Sequence, residues 1–142
     1  MDRIEWIHLG NHTYPMVFSI GARKELETKY KNIQDYFDKC ADPAAVSEAY
    51  LDGLETFIKY GCMRINVLGD AKRPEGAAIN DEGKWEPIAR ETLEILVCPG
   101  DEPDVGAKIF STINKGAMAE IKAKPTKETR KNSKAEPEEA TA

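Results

Sequence analysis

Long apolar stretches are absent from this sequence of 142 residues. No run approaches the roughly 20 apolar residues that a membrane-spanning helix requires. Residues 1–6 also lack the basic-then-apolar pattern of a secretory signal. We therefore expect a cytoplasmic protein that binds no membrane.

Cysteine and histidine are scarce. Cys40, Cys62 and Cys98 are odd in number and widely spaced, which indicates reduced thiols and no disulfide framework. A cysteine nucleophile needs cationic neighbours, whereas this chain is acidic. His8 and His12 fall short of the about four converging ligands of a metal site. We expect no metal, no cofactor and no catalytic residue, and therefore a protein that is not an enzyme.

An excess of basic residues is missing as well. The chain holds 20 Lys and Arg against 25 Asp and Glu, which gives a net charge of −5. The last 20 residues hold five basic and four acidic residues, so residues 1–122 hold 15 and 21 and carry −6. A domain of that charge repels a phosphate backbone, and we expect it to bind no nucleic acid.

The sequence predicts an N-terminal β-hairpin. The Gly-Asn pair at 10–11 is typical of a two-residue turn. That turn sets Ile7 opposite Tyr14 on one face and Trp6 opposite Pro15 on the other, so both faces carry apolar side chains. Pro15 has no N–H, which places its strand at an edge.

Helices are predicted over most of the remaining chain. Apolar periodicity and end signals indicate helices at 20–31, at 33–40, from 42–43 to Gly61, from 85–87 to Val97, and from 101 to about 122. The fourth of these is apolar around much of its girth, so we expect it to lie centrally in the core. Residues 63–68 are either a brief strand or an extension of the third helix, and two loops follow them.

The periodicity stops near residue 123. Residues 123–142 contain no aromatic or large aliphatic side chain. They cannot offset a chain entropy of roughly 1–2 kcal/mol per residue. We predict a folded domain over 1–122 and a disordered polar tail over 123–142. The predicted fold class is α+β: a predominantly helical single domain with an N-terminal β-hairpin.

Aromatic residues make up 8% of the chain, and several lie in or beside the hairpin. Trp6, Tyr14 and Phe18 are either core contacts or a docking edge, because an edge strand offers unpaired N–H and C=O groups. The last helix adds Phe110 and Ile113 as candidates on its outer face. We take these five as candidate protein-binding residues. Apolar side chains on both hairpin faces also permit a homo-oligomer.

Two stretches resemble a known family. Residues 13–27 contain Tyr-Pro, an apolar residue and a Phe, followed by a helix with an Ala-x-x-x-Leu-Glu core. This order is similar to the opening of tail assembly chaperones from siphophages and prophages of Gram-positive hosts. Residues 96–101 and 108–116 also resemble that family, with an acidic break between helices and a final helix ending near Asn-x-Gly. Residues 62–84 depart from the family by being longer and more polar.

The resemblance implies a non-catalytic function in virion assembly. Proteins of that family bind the long, helical tape measure protein and are shed as tail tube subunits arrive. It implies the tape measure protein and the tail tube protein as partners, and absence from the mature virion. Two other classes stay open from the sequence: a virion structural protein, such as a head–tail connector or tail tube component, and a small regulatory binding protein.

Overall fold

The computed structural model describes residues 2–69 and 72–118. Over this part of the chain, two strands are followed by five α-helices: β1 Glu5–Leu9, β2 His12–Met16, α1 Ile20–Leu26, α2 Ile33–Cys40, α3 Val46–Leu68, α4 Arg90–Leu96 and α5 Glu102–Ala117. The predicted α+β class, helical with an N-terminal hairpin, is confirmed. The predicted disordered tail at 123–142 and the last residues of the predicted domain lie outside the described residues.

The hairpin has the predicted register. β1 and β2 are antiparallel, with Ile7 opposite Tyr14 and Trp6 opposite Pro15. Gly10 in the turn has a φ of 62°, a left-handed conformation that glycine adopts without a Cβ clash. The local turn chemistry was therefore sufficient to fix the pairing of the two strands.

The outer side of β2 is committed to the rest of the domain. The N–H of Thr13 donates to the Gly76 carbonyl at 2.8 Å, and the N–H of Val17 donates to the Phe57 carbonyl at 3.0 Å. Pro15 lies between these two donors, where its missing N–H leaves no partner unsatisfied. β2 is thus held between β1, a loop and α3.

α3 is the central helix. Its buried side chains include Leu54, Phe57 and Ile58, and it contacts β2 and each of the other four helices. The prediction that the helix at 85–97 occupies the centre is wrong. α4 starts only at Arg90, and Leu93 is its buried residue.

Long-range pairing explains why residues 85–89 are not helical. Trp85 lies in an antiparallel bridge with Ile79, and its N–H donates to Asn66 Oδ1 at 2.9 Å. The N–H of Glu86 donates to the Ala78 carbonyl at 2.9 Å. These bonds use the backbone groups that a helix would need.

Two other predicted helix ends are also displaced. α1 stops at Leu26, short of residue 31, and a turn in which the N–H groups of Lys29 and Tyr30 donate to the Leu26 carbonyl leads to α2. α3 begins at Val46 after a turn at Asp42, and it continues past Gly61 to Leu68. The extension of the third helix over 63–68, one of the two alternatives, is confirmed.

Gly61 serves a packing function in the middle of α3. A Cβ at this position would overlap the carbonyl oxygen of Pro15. The absence of a side chain therefore allows the β2 backbone to lie directly on the helix. Gly69, with a φ of 68°, is the residue that ends α3.

We expect Gly61→Ala to lower the free energy of unfolding by about 1–2 kcal/mol. Alanine favours helix by roughly 1 kcal/mol, but overpacking against a backbone atom costs about 1–3 kcal/mol and has no flexible side chain to relieve it. Gly100→Ala is the control, because a Cβ there meets nothing within 4 Å. Urea titrations followed by circular dichroism would measure both, and equal stability of the two variants would contradict the packing function.

Candidate protein-binding surfaces

Two of the five candidate binding residues are buried. Tyr14 is 7% exposed and Ile113 is 6% exposed. Ile113 stands on the buried stripe of α5 with Val105 and Ile109, at intervals of four residues. Tyr14 is therefore a core contact, one of its two alternatives, and the assignment of Ile113 to the outer face of the last helix is corrected.

The other three candidates retain some exposed surface. Each of their rings packs on a second aromatic ring, with centroid separations of 5.6, 5.6 and 5.9 Å: Trp6 on Trp85, Phe18 on Phe57 and Phe110 on Phe37. Phe110 is exposed, whereas Trp6 and Phe18 are half-buried. The structure does not gather the five into one surface, and partner binding by these three stays a prediction.

A charged network fastens α4 to α3. The buried Asp52 carboxylate accepts hydrogen bonds from Tyr30 at 2.6 Å, Lys29 at 3.0 Å and Arg90 at 2.8 Å. Burial alone would raise the pKa of Asp52, but these hydrogen bonds lower it. Arg90 also pairs with Glu55 at 3.0 Å. The sequence did not reveal this network, because its members are far apart in the chain.

The thiols and histidines do not converge among the described residues. Cys40 and Cys62 are buried and Cys98 is exposed, and burial raises the pKa of Cys62 to about 12. Residues 2–69 and 72–118 hold no group of three or more His, Cys, Asp or Glu placed to bind a metal ion. None of the helices in those ranges combines the length and the apolar character that crossing a bilayer demands.

The first candidate surface is an apolar patch where α3 ends, which we call the α3-end patch. Its members are large apolar side chains with high exposed fractions: Met63 48%, Val67 81% and Leu68 52%. A cleft of about 320 Å³ runs along it and is also lined by Val17, Ser19, Tyr60 and Arg64. Contiguous exposed apolar side chains of this kind mark interaction sites.

The α3-end patch is exposed because α3 continues beyond the core. Ile65 is the last buried residue of the helix, which continues to Leu68. Tyr60, Met63 and Val67 share one face at helical spacing. This helical spacing continues beyond Gly61 in the sequence, and it is the feature from which the shared face of Met63 and Val67 could have been predicted.

The second candidate surface is a groove of about 580 Å³ beside β1, which we call the β1-edge groove. Its wall is formed by residues from the hairpin, from the end of α4 and from the first half of α5, including Trp6, His8, Leu9, Gly10, Leu96, Asp101, Asp104, Val105 and Lys108. The sequence interpretation placed Leu96 in a central core helix. It is 36% exposed instead and lies near Gly10 at the mouth of this groove.

Hydrogen bonds to Glu5 hold α5 against β1 and so fix one end of the groove. Ser111 Oγ donates to the Glu5 carboxylate at 2.5 Å and Lys108 Nζ donates at 3.1 Å. Burial alone would raise the pKa of Glu5. The hydrogen bonds from Ser111 and Lys108, with the charges of Lys108 and Lys115, lower it from an ordinary 4.5 to about 2.

Compared with protein-family models, with curated protein sequences and with solved structures, the chain matches none of them. The resemblance to tail assembly chaperones therefore stays a prediction.

The stability of the domain should depend on pH through Glu5. Its folded-state pKa lies below the unfolded value, so its contribution of about 3 kcal/mol is present above pH 4.5 and is lost as the pH falls towards 2. Glu5→Gln should lower stability at neutral pH and flatten the pH dependence between 4.5 and 2. Glu91→Gln, at an exposed position on α4, should leave the dependence unchanged. Parallel curves for wild type and Glu5→Gln in urea titrations would contradict this assignment.

Proposed function

We propose that this chain is a cytoplasmic tail assembly chaperone that binds apolar, helical segments of a phage tape measure protein without catalysing a reaction. The observation that carries the proposal is the α3-end patch. Exposed apolar side chains lie along one cleft of a chain in which 32% of the residues are charged. The sequence resemblance supplies the identity of the partner, and the patch supplies a surface for it.

The geometry of the α3-end patch suits an amphipathic helix. Met63 and Val67 are one helical turn apart, and the cleft beside them lies between α3 and the start of α1. An incoming helix with apolar residues at three- and four-residue intervals would place them along this cleft. Arg64 at the cleft wall is positioned to meet an acidic residue on such a helix.

The size of the α3-end patch favours transient binding. Full burial of one large apolar side chain contributes about 1.5–3 kcal/mol. Association itself costs about 4–15 kcal/mol in lost freedom. A few such side chains therefore leave a modest net affinity, which suits a chaperone that tail tube subunits displace. The net charge of −5 keeps the chaperone soluble while it exposes apolar surface.

The test is co-expression of the full chain with the tape measure protein encoded in the same phage or prophage, followed by affinity purification. We expect the wild-type chain to capture the tape measure protein and Val67→Glu to lose most of it, because a carboxylate would have to be buried in the contact. Ile95→Glu is the matched control, since Ile95 is 77% exposed and lies outside the patch.

Both substitutions should leave the melting temperature within a few degrees of wild type, because exposed positions change stability by about 0.5 kcal/mol or less. A wild-type chain that leaves the tape measure protein uncaptured would refute the proposed function. Equal capture by Val67→Glu and Ile95→Glu would show that the α3-end patch is not the binding surface. Added tail tube protein should reduce the captured amount.

A further inference from the structure

The outer edge of β1 carries backbone groups with which no described residue pairs. Thr13 and Val17 direct their N–H groups away from β1, so Tyr14 and Met16 are the residues of β2 that face it. By the same alternation, the N–H and C=O groups of Trp6 and His8 point away from β2. No described residue hydrogen-bonds to these backbone groups.

The same edge is closed at its N-terminal end. Lys115 Nζ donates to the Ile4 carbonyl at 3.0 Å, and α5 is held to the next residue by the bonds to Glu5. Beyond that point the helix and the strand leave the β1-edge groove between them. The open stretch is therefore the one that contains Trp6 and His8.

A groove bounded by a strand edge and a helix accepts an extended peptide. An added strand would lie about 4.8 Å from β1 and would pair with the free groups of Trp6 and His8. Its alternate side chains would point towards the apolar part of the wall, formed by Leu9, Leu96 and Val105. Backbone pairing supplies affinity in this mode, and the wall supplies specificity.

The charges of the β1-edge groove favour a basic occupant. Asp104 is exposed at the wall and has no ion pair among the described residues. Asp101 Oδ2 accepts a hydrogen bond from the Cys98 N–H at 2.9 Å. Lys108, the cation of the wall, is paired with Glu5 at 3.1 Å. The unneutralised charge is negative, as is that of the whole chain.

We propose that the β1-edge groove binds an extended segment of a partner protein as an added β-strand, with alternating apolar and basic side chains and a Lys or Arg beside Asp104. This site is separate from the α3-end patch and needs an extended segment, where the patch needs a helical one. It does not rest on the proposed chaperone function.

A selection from a random peptide display library on the full-length chain is the first arm of the test. We expect the enriched peptides to alternate apolar and basic residues. A synthetic copy of the most enriched peptide should perturb the amide signals of Trp6 and His8 in NMR spectra. A selection without such alternation, or a peptide that perturbs neither amide, would overturn the proposal.

Variants of the full-length chain form the second arm. Leu96→Glu should lower the affinity for the peptide about tenfold or more, since burial of a Leu side chain contributes a free energy of that size. Asp104→Asn should lower the affinity for the peptide several-fold and make that affinity less dependent on salt concentration. Val67→Glu is the control and should bind as wild type does. Loss of binding in Val67→Glu with retention in Leu96→Glu would overturn the proposal and leave the α3-end patch as the peptide site.

The same proteins, with one further peptide, distinguish two other possible occupants of the groove. A wild-type dimer that Leu96→Glu dissociates in analytical ultracentrifugation would show a second copy of this chain in the groove. Competition by a synthetic peptide of residues 119–142 would show that the chain's own C-terminal segment fits it. Either result would overturn assignment to a partner protein. We expect the wild-type chain to be a monomer, and we expect the 119–142 peptide not to compete with the selected peptide.

Discussion

The rest of the structure depends on the direct contact between the backbone of β2 and the central helix α3. Gly61 provides the space for that contact, and the hydrogen bond from the Val17 N–H to the Phe57 carbonyl joins strand to helix at 3.0 Å. Because β2 is fixed in this way, its outer edge is used inside the domain. The edge of β1 is left as the side of the sheet whose outer backbone groups have no partner among the described residues.

Charged contacts then position the elements that contribute little to the core. α4 has one buried residue, Leu93, and Arg90 anchors it to the buried Asp52 of α3. Glu5 anchors β1 to α5 in a comparable way. An unpaired buried carboxylate is costly, so each network is stable only when all its partners are in place.

The two candidate surfaces differ in what they recognise. The α3-end patch offers apolar side chains at helical spacing, and its contacts do not depend on the partner's backbone. The β1-edge groove offers backbone groups and a carboxylate, which suit the extended partner that we propose for it.

The sequence by itself determined the features that depend on neighbours in the chain. The Gly-Asn turn set the hairpin register, local periodicity and end signals placed helix starts at residues 20 and 33, and the acidic break near residue 101 marked a third. Only the tertiary structure decided which apolar residues are covered. Trp85 is extended because Ile79 and Asn66 pair with it from a distance, and α3 passes Gly61 because β2 lies there. Tyr14 and Ile113 became core residues while Met63 and Val67 became surface, because periodicity shows which residues share a face but not what packs against it.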